Sequence, residues 1–342
     1  MCPAAINFMY EIMYDFDNIR EAYRLARRCK ANSEDVSNFD LNRIYNLRKL
    51  QKQLKEKRWD EIFNYYRFYI SEPKIRKVDA LEFDGRVAQH VLCDNIIRPY
   101  MEPRLVKENA ACRKDKGTDY ARNLVKQGLV KFLKHHDTGY VLKIDIKKFF
   151  DSINHDVLKS MLSDFPDKEV LEFIYYIIDH VPEPIGLPLG NQTSQWMALY
   201  YLNPLDRIIK EKYRIKVYAR YMDDFIIIHE SKEVLQKLLK KLTEIAHNSL
   251  KLSFNEKTQI TPLHRGFTFL GWKYHITKNG GVRLYIDKGK AKEKCRKLHV
   301  LETEYKKGVI ENKKYEERLV AHKAHLKKGC TYYFVCRKLK PL

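Results

Sequence analysis

Two adjacent carboxylates, Asp223 and Asp224, stand in the middle of VYARYMDDFIIIHE, an otherwise largely apolar run from Val217 to Glu230. Burying one ionised carboxylate without a partner is costly, and two side by side also repel each other. A third carboxylate, Asp145, has the same setting at the end of the apolar stretch YVLKID. Three acids on adjacent strand ends can hold two divalent cations. Ions about 3.5–4 Å apart activate a 3′-hydroxyl and steady a leaving pyrophosphate, which is the chemistry of phosphoryl transfer. Magnesium suits an all-oxygen ligand set and keeps water and substrate phosphate in its shell. The competing use of these acids is structural, as turn caps or as partners of Lys143, Lys147 or Arg220.

The apolar spacing says which elements must position them. Val217–Glu230 reads as a β-hairpin, and both aspartates reach one sheet edge only if they lie on its bend, because alternation along a strand sends neighbours to opposite faces. TGYVLKIDIKKFF reads as a strand carrying Asp145, followed by a helix in HDVLKSMLSDF. Upstream, FDNIREAYRLARRC puts Phe16, Ile19, Tyr23 and Ala26 on one helical stripe, and LNRIYNLRKLQKQL does the same with Ile44, Leu47 and Leu54. Aromatic and β-branched residues suggest short strands around a turn at Glu72-Pro73. RVAQHVLCDNIIRPYMEPRL reads as a helix stopped by Pro99 and Pro103, and TDYARNLVKQGLVKFLKHH as a helix ending at Gly139. A long helix is interrupted at Pro204. After the aspartate hairpin come a helix, a short strand at LSFN, a second hairpin around FTFLGWKYHIT and a basic helical tail from Lys288. Strands and helices alternate without the regularity of βαβ units, so the fold class is α+β.

Composition narrows the partners. The 342 residues carry 65 Lys+Arg against 44 Asp+Glu, a net charge of +21. Such an excess attracts a polyanion, and nucleic acid is the usual one. From Ile286 to Leu342 there are 17 Lys/Arg and 7 Asp/Glu, so about half of the net charge sits in the last sixth of the chain. Seven scattered cysteines with no CxxC pair argue for reduced thiols and a cytoplasmic protein. His322, His325, Cys330 and Cys336 do not have zinc-ligand spacing. The N-terminus lacks the basic flank of a signal peptide, and no apolar run is long enough to span a membrane.

In this setting Tyr221-Met222-Asp223-Asp224 resembles the YxDD box of reverse transcriptases, and Asp145 in DIKKFFDSINHDVL resembles their first catalytic aspartate. Further blocks match in order: EPKIRKVDALEFDGRVAQHVL and ENAACRKDKGTDYA in the fingers, GLPLGNQTSQWMALYYLNPLD before YxDD, and LKLSFNEKTQI and FTFLGWKY after it. The resemblance implies a right-hand polymerase: an N-terminal helical region at 1–70, fingers at 71–140, a palm with an antiparallel sheet at 141–285 (with a fingers insertion at about 160–185), and a basic helical thumb at 286–342. It implies two Mg²⁺ ions, or Mn²⁺ in their place, at Asp145, Ile146, Asp223 and Asp224. Phe150 falls at the steric gate, where a ring under the sugar C2′ leaves no room for a 2′-hydroxyl. Lys74, Arg76 and Arg113 are expected at the dNTP triphosphate. Tyr221, Leu189 and Gly190 complete the dNTP site, and Lys257 is the candidate general acid for the leaving pyrophosphate.

One position departs from most of the family. The block before YxDD commonly reads PQG followed by SP, whereas here it reads Pro188-Leu189-Gly190 and then Ser194-Gln195. A glutamine can hydrogen-bond near the nascent base pair, and leucine cannot. This form is similar to the reverse transcriptases of diversity-generating retroelements, which copy a template RNA with errors at adenines, and to some bacterial defence-associated relatives. The resemblance therefore implies an error-prone RNA-directed DNA polymerase acting on an RNA template and a primer, with a small basic accessory protein as a family partner. The alternatives are an antiphage reverse transcriptase working with a non-coding RNA, and a nucleic-acid-binding scaffold with an inactive polymerase fold. The intact aspartates argue against the scaffold.

Overall fold

The computed structural model describes residues 9–71, 75–277, 280–286, 288–327 and 329. They form two compact units. One lies within Met1–Gly117, Asp145–Arg214 and Leu238–Asn255, the other within Thr118–Ile144, Ile215–Lys237 and Glu256–Leu342.

The first unit opens with four helices: α1 (Glu11–Tyr14), α2 (Phe16–Arg27), α3 (Glu34–Leu41) and α4 (Arg43–Lys55). Asp15 starts α2 by accepting the Asn18 N–H at 2.9 Å, which satisfies one of the orphan donors of a helix N-terminus. Of the expected stripe of α2, Ile19, Tyr23 and Ala26 are buried, joined by Ala22, while Phe16 is only half-buried. On α4, Leu47 and Leu54 are buried as expected, but Ile44 is 59% exposed. An antiparallel hairpin follows, β1 (Tyr65–Ile70) and β2 (Arg76–Leu81), paired from Tyr65↔Leu81 to Ile70↔Arg76.

Helix α5 (Phe83–Leu92) does not stop before Pro99, as its sequence suggests. It passes through a five-residue π turn, Cys93–Ile97, into α6 (Arg98–Met101), with Pro99 in the first turn. A wide turn followed by a new helical start tolerates the missing proline N–H. The unit continues with α8 (His155–Leu162), α9 (Lys168–Asp179), α10 (Gln192–Tyr201) and α11 (Asn203–Arg207). Pro204 in the first turn of α11 ends the long helix as expected.

The second unit contains α7 (Thr118–Leu133), which ends at Leu133 rather than running on to Gly139: the His135 and His136 N–H groups both bond Phe132 O and close the last turn. Its four-stranded sheet has the order β4-β5-β3-β6, with β3 (Tyr140–Asp145), β4 (Val217–Tyr221), β5 (Asp224–His229) and β6 (Gln259–Pro262). Strands β4 and β5 are almost wholly buried. A meander of β7 (Phe267–Phe269), β8 (Trp272–Ile276) and β9 (Val282–Ile286) includes the expected second hairpin, with Phe267 and Tyr274 stacked at 4.7 Å. Helix α12 (Lys232–Asn248) follows β5 and belongs to the first unit from Leu238 onward, and α13 (Lys288–Lys306) and α14 (Asn312–Lys327) carry much of the basic tail. LSFN is not a strand but a single bridge, Ile146↔Phe254.

Candidate active site

The aspartate hairpin places only one of its two acids on the bend: Asp223 lies in the loop, whereas Asp224 opens a strand. β4 ends at Tyr221 and β5 begins at Asp224, and these two residues pair across the ladder. Met222 and Asp223 are therefore the whole loop. Met222 takes φ +53°, a left-handed conformation that glycine usually supplies. Arg220, completely buried, donates from its guanidinium to Met222 O at 3.0 Å and lies 5.6 Å from the Phe225 ring. A buried cation under a strained apex fixes where the acids emerge. Asp223 and Asp224 are both half-buried.

Asp224 meets the strand next to its own. Lys143 Nζ of β3 lies 3.5 Å from Asp224 Oδ1, one of the structural pairings open from the sequence. Lys143 and Asp145 are two residues apart on β3 and so share a face. Asp145 closes that strand, half-buried, and its carbonyl accepts the Asn255 N–H at 2.7 Å. Ile146 then bridges Phe254, and Lys147 N–H donates to Ser253 O at 2.9 Å. These contacts fix the backbone on which Asp145 is carried.

The donor set is carboxylate oxygen, which suits a hard divalent cation. Among the described residues no three His, Cys, Asp or Glu side chains form a ready-made metal cage. Magnesium held through one or two carboxylates plus substrate phosphate and water needs none.

The two phenylalanines of the turn after Asp145 are buried unequally. Phe149 is buried in the core, whereas Phe150 is half-buried and packs edge-on against it at 5.5 Å. The loop before α10 is tied to this aromatic turn. Leu187 N–H donates to Phe150 O at 2.8 Å, Gly186 N–H donates to Ile153 O at 2.8 Å, and His155 Nε2 lies 2.7 Å from Gly186 O. Gly186 has φ +94°, and a Cβ there would stand 2.9 Å from Phe150 O, so only glycine fits. Gly190, at φ +103°, passes beside Val78 of β2. Leu189 and Leu187 line a cleft of about 190 Å³ together with Lys77, Asp79, Asp151 and Glu183.

The cations on the β1–β2 hairpin are distributed differently from the sequence expectation. Arg76 is exposed at the start of β2, and Lys74 lies outside the described residues. Lys77 is the basic residue that lines the cleft, and alternation along β2 is the signal that separates it from Arg76. Glu183 accepts from Lys77 at 2.6 Å and from Arg67 at 2.8 Å, and Arg67 also reaches the buried Asp79 at 2.6 Å. These contacts hold the Glu183 carboxyl below the usual carboxylate range, chiefly through the Lys77 hydrogen bond.

Arg113 is committed to its own loop rather than held out toward a triphosphate. Its guanidinium donates to Val106 O at 2.8 Å, Asn109 O at 3.1 Å and the Glu102 carboxylate at 3.2 Å. Lys257 is exposed, in the turn just before β6.

A family model described as "Reverse transcriptase (RNA-dependent DNA polymerase)" matches residues 70–274. The chain belongs to the reverse transcriptase family. Reverse transcriptases are RNA-directed DNA polymerases, nucleotidyltransferases that work with divalent metal ions on an RNA template and a primer. Two solved structures of apo telomerase from Candida tropicalis share the fold of this reverse transcriptase. The one truncated from its C-terminal domain is 14% identical, with a TM-score of 0.51 over 66% of this chain and 55% of that one. The other is 14% identical, with a TM-score of 0.52 over 68% of this chain and 48% of that one. The reverse transcriptase therefore spans about half the length of the solved structures it matches. That likeness establishes the right-hand architecture of helices and antiparallel sheets. No curated protein matches the chain. No helix among the described residues is long and apolar enough to cross a membrane.

Proposed function

We propose that this reverse transcriptase belongs to a diversity-generating retroelement and copies a structured RNA template into cDNA with errors, using two magnesium ions. The observation that carries the subtype is Leu189. It stands where most of the family has glutamine, and it lines a cleft with Lys77 and Asp151 while offering no hydrogen bond to a base pair.

The residues divide the work as follows. Asp145, Asp223, Asp224 and the backbone carbonyl of Ile146 would hold the ions, and Lys143 is the counter-charge of Asp224. Bound there, the ions would lower the pKa of the primer 3′-hydroxyl and steady the leaving group. The primer 3′-oxygen attacks the α-phosphorus and gives up its proton to a solvent water. The new P–O bond forms as the bond to pyrophosphate breaks, and Lys257 protonates the departing oxygen. Phe150 lies under the sugar and excludes a 2′-hydroxyl. Tyr221, Leu189 and Gly190 shape the nucleotide site. Arg76, Lys74 and Lys77 meet the triphosphate, and Arg113 braces the loop behind them.

Residues 71–140 act as fingers, 141–285 as palm and 286–342 as a thumb that tracks template–primer phosphates, after the N-terminal helices of 1–70. A small basic accessory protein assists with the template RNA.

Primer extension on an RNA template with Mg²⁺ tests the chemistry. Asp223→Ala should lower extension by about 10³-fold, and equal product from mutant and wild type would end the catalytic reading. In the same assay, Leu189→Gln should lower misincorporation opposite template adenine by about tenfold. Unchanged fidelity would refute the role given to Leu189.

A further inference from the structure

Helix α10 begins directly after Leu189, Gly190 and Asn191, and its start is not closed by its own cap. Asn191 is the N-cap, and asparagine is a residue type that usually closes a helix start with its side chain. Here it makes no cap bond, and its buried amide donates instead to the Tyr65 hydroxyl of β1 at 3.2 Å. The Gln192 N–H is one of the donors that a helix N-terminus leaves without a partner in the helix. It donates to another helix, at Gln89 Oε1 of α5, over 3.2 Å. Gln89 is 2% exposed. The Gln192 side chain then donates to Asp94 Oδ1 at 3.1 Å, on the π turn that continues α5. Asp94 is anchored in turn, with His90 Nδ1 3.1 Å from its other oxygen and Arg98 3.7 Å from the first. All of these residues lie in the first unit.

A side-chain cap from Asn191 would satisfy the helix start wherever that start sat. Tethers from β1 and α5 also fix its place. They leave a penalty, because Gln89 Nε2 and Gln192 Oε1 are buried with no hydrogen-bond partner among the described residues. Apolar side chains of the same length would fill the space without orphaned polar atoms, so stability alone is a poor reason for two glutamines here. The π turn that carries Asp94 is a form of helix found frequently at functional sites. What the tethers hold is the short link Leu189-Gly190. Its glycine takes φ +103° and passes Val78 of β2, and its leucine lines the cleft with Lys77 and Asp151.

We propose that Gln89 and Asp94 are positioning residues for the nucleotide site: acting through Gln192, they set where the Leu189-Gly190 link stands against the nascent base pair. The inference rests on the role given to Leu189 under the proposed function. A leucine makes no hydrogen bond to a base pair, so it discriminates by shape, and shape depends on where the backbone holds it. A loosened link therefore admits mismatched pairs more than it slows matched ones.

Single-nucleotide incorporation by the full chain on a primed RNA template reads kcat and KM for matched and mismatched dNTPs. Gln89→Met keeps the length of the side chain and removes the acceptor. It should raise the dNTP KM, and the mismatched-to-matched ratio of kcat/KM, by about fivefold each, the factor set by one hydrogen bond. Asp94→Leu should do the same. Asp94→Asn keeps an oxygen that accepts from Gln192 and should return both readouts to wild type although the charge is gone. Should Gln89→Met fail to fold, the Asp94 variants carry the test, since that side chain is only partly buried. Wild-type KM and ratio in folded Gln89→Met and Asp94→Leu, with Leu189→Gln still altering fidelity, would overturn the inference and leave the reading of Leu189 intact. Equal losses in Asp94→Asn and Asp94→Leu would also overturn it, since they assign Asp94 to its charge pairs with His90 and Arg98. If Leu189→Gln leaves fidelity unchanged while Gln89→Met and Asp94→Leu raise the dNTP KM and Asp94→Asn restores it, the tethers stand and the reading of Leu189 fails instead.

Discussion

Two antiparallel hairpins of this chain carry opposite charges and are built in opposite ways. The β4–β5 hairpin presents acids on a two-residue loop, and its strands are core: Tyr218, Ala219, Phe225, Ile226 and Ile227 are buried, and a buried arginine braces the apex. The β1–β2 hairpin presents cations and lies largely on the surface. Tyr66, Phe68, Tyr69 and Ile70 are each at least 40% exposed, and Tyr66 and Phe68 stack on each other at 5.9 Å. Oxygens that must hold ions at fixed spacing need a scaffold that cannot shift, because small displacements of reacting groups are costly. In the proposed function the cations of the other hairpin grip a departing and returning substrate, and they need only reach it. Few buried contacts give the basic hairpin low local stability, which suits repeated opening.

The largest effect should come from the braced side. Arg220→Met removes the donor to Met222 O from a fully buried position. It should cost about 2–4 kcal/mol in urea unfolding and about a hundredfold in primer extension under conditions where the variant stays folded. Full activity in the folded variant would mean the apex holds its acids without the brace, and the contrast between the hairpins would lose its meaning.

A smaller effect is expected just behind the surface hairpin. Asp84 sits in the first turn of α5, three residues after β2 ends on a buried Leu81. Burial pushes its carboxyl up to about 6 against the pull of the Gly85 N–H bond. Because the folded state holds the proton more tightly than the unfolded chain, this contribution to stability is full below the ordinary carboxylate range and is lost as pH rises through about 6. Asp84→Asn should therefore gain about 2 kcal/mol at pH 7.5 and flatten the stability profile between about pH 4 and 6. Thermal melts across that range read it directly.

The smallest effect should fall on the basic hairpin itself. Glu183→Gln weakens the tether to Lys77 and Arg67. The melting temperature should not move, since exposed pairs contribute little. The KM for dNTP should fall by about threefold as a negative charge leaves the cleft. A large loss of stability would show that the surface hairpin depends on its ion pairs.

The same contrast explains what could be read from the sequence. A hairpin packed as core writes its period into the chain, so β4, β5 and a bend between Tyr221 and Phe225 were legible from VYARYMDDFIIIHE, although Asp224 belongs to the strand and not to the bend. So was the break at Pro204. Surface elements leave a weaker trace. Nothing in KIRKVDAL states that Lys77 rather than Arg76 faces the cleft until the face of β2 is known. Arg113 looked available because sequence does not report which carbonyls a loop must satisfy. Pro99 pointed to a helix end, but a π turn upstream absorbed it. Ile44 fitted a core stripe, because amphipathic spacing marks an apolar face without saying what will cover it.

The tie between Gly186 and Phe150 joins a remote loop to the proposed choice of sugar. The loop leaves no space for even one added methyl group, so any bulkier residue at 186 must push on the backbone that carries the aromatic ring. Discrimination between ribose and deoxyribose can then drift by mutation at a glycine with no side chain of its own to offer, and a search for determinants of that choice should include the backbone that lines the cleft.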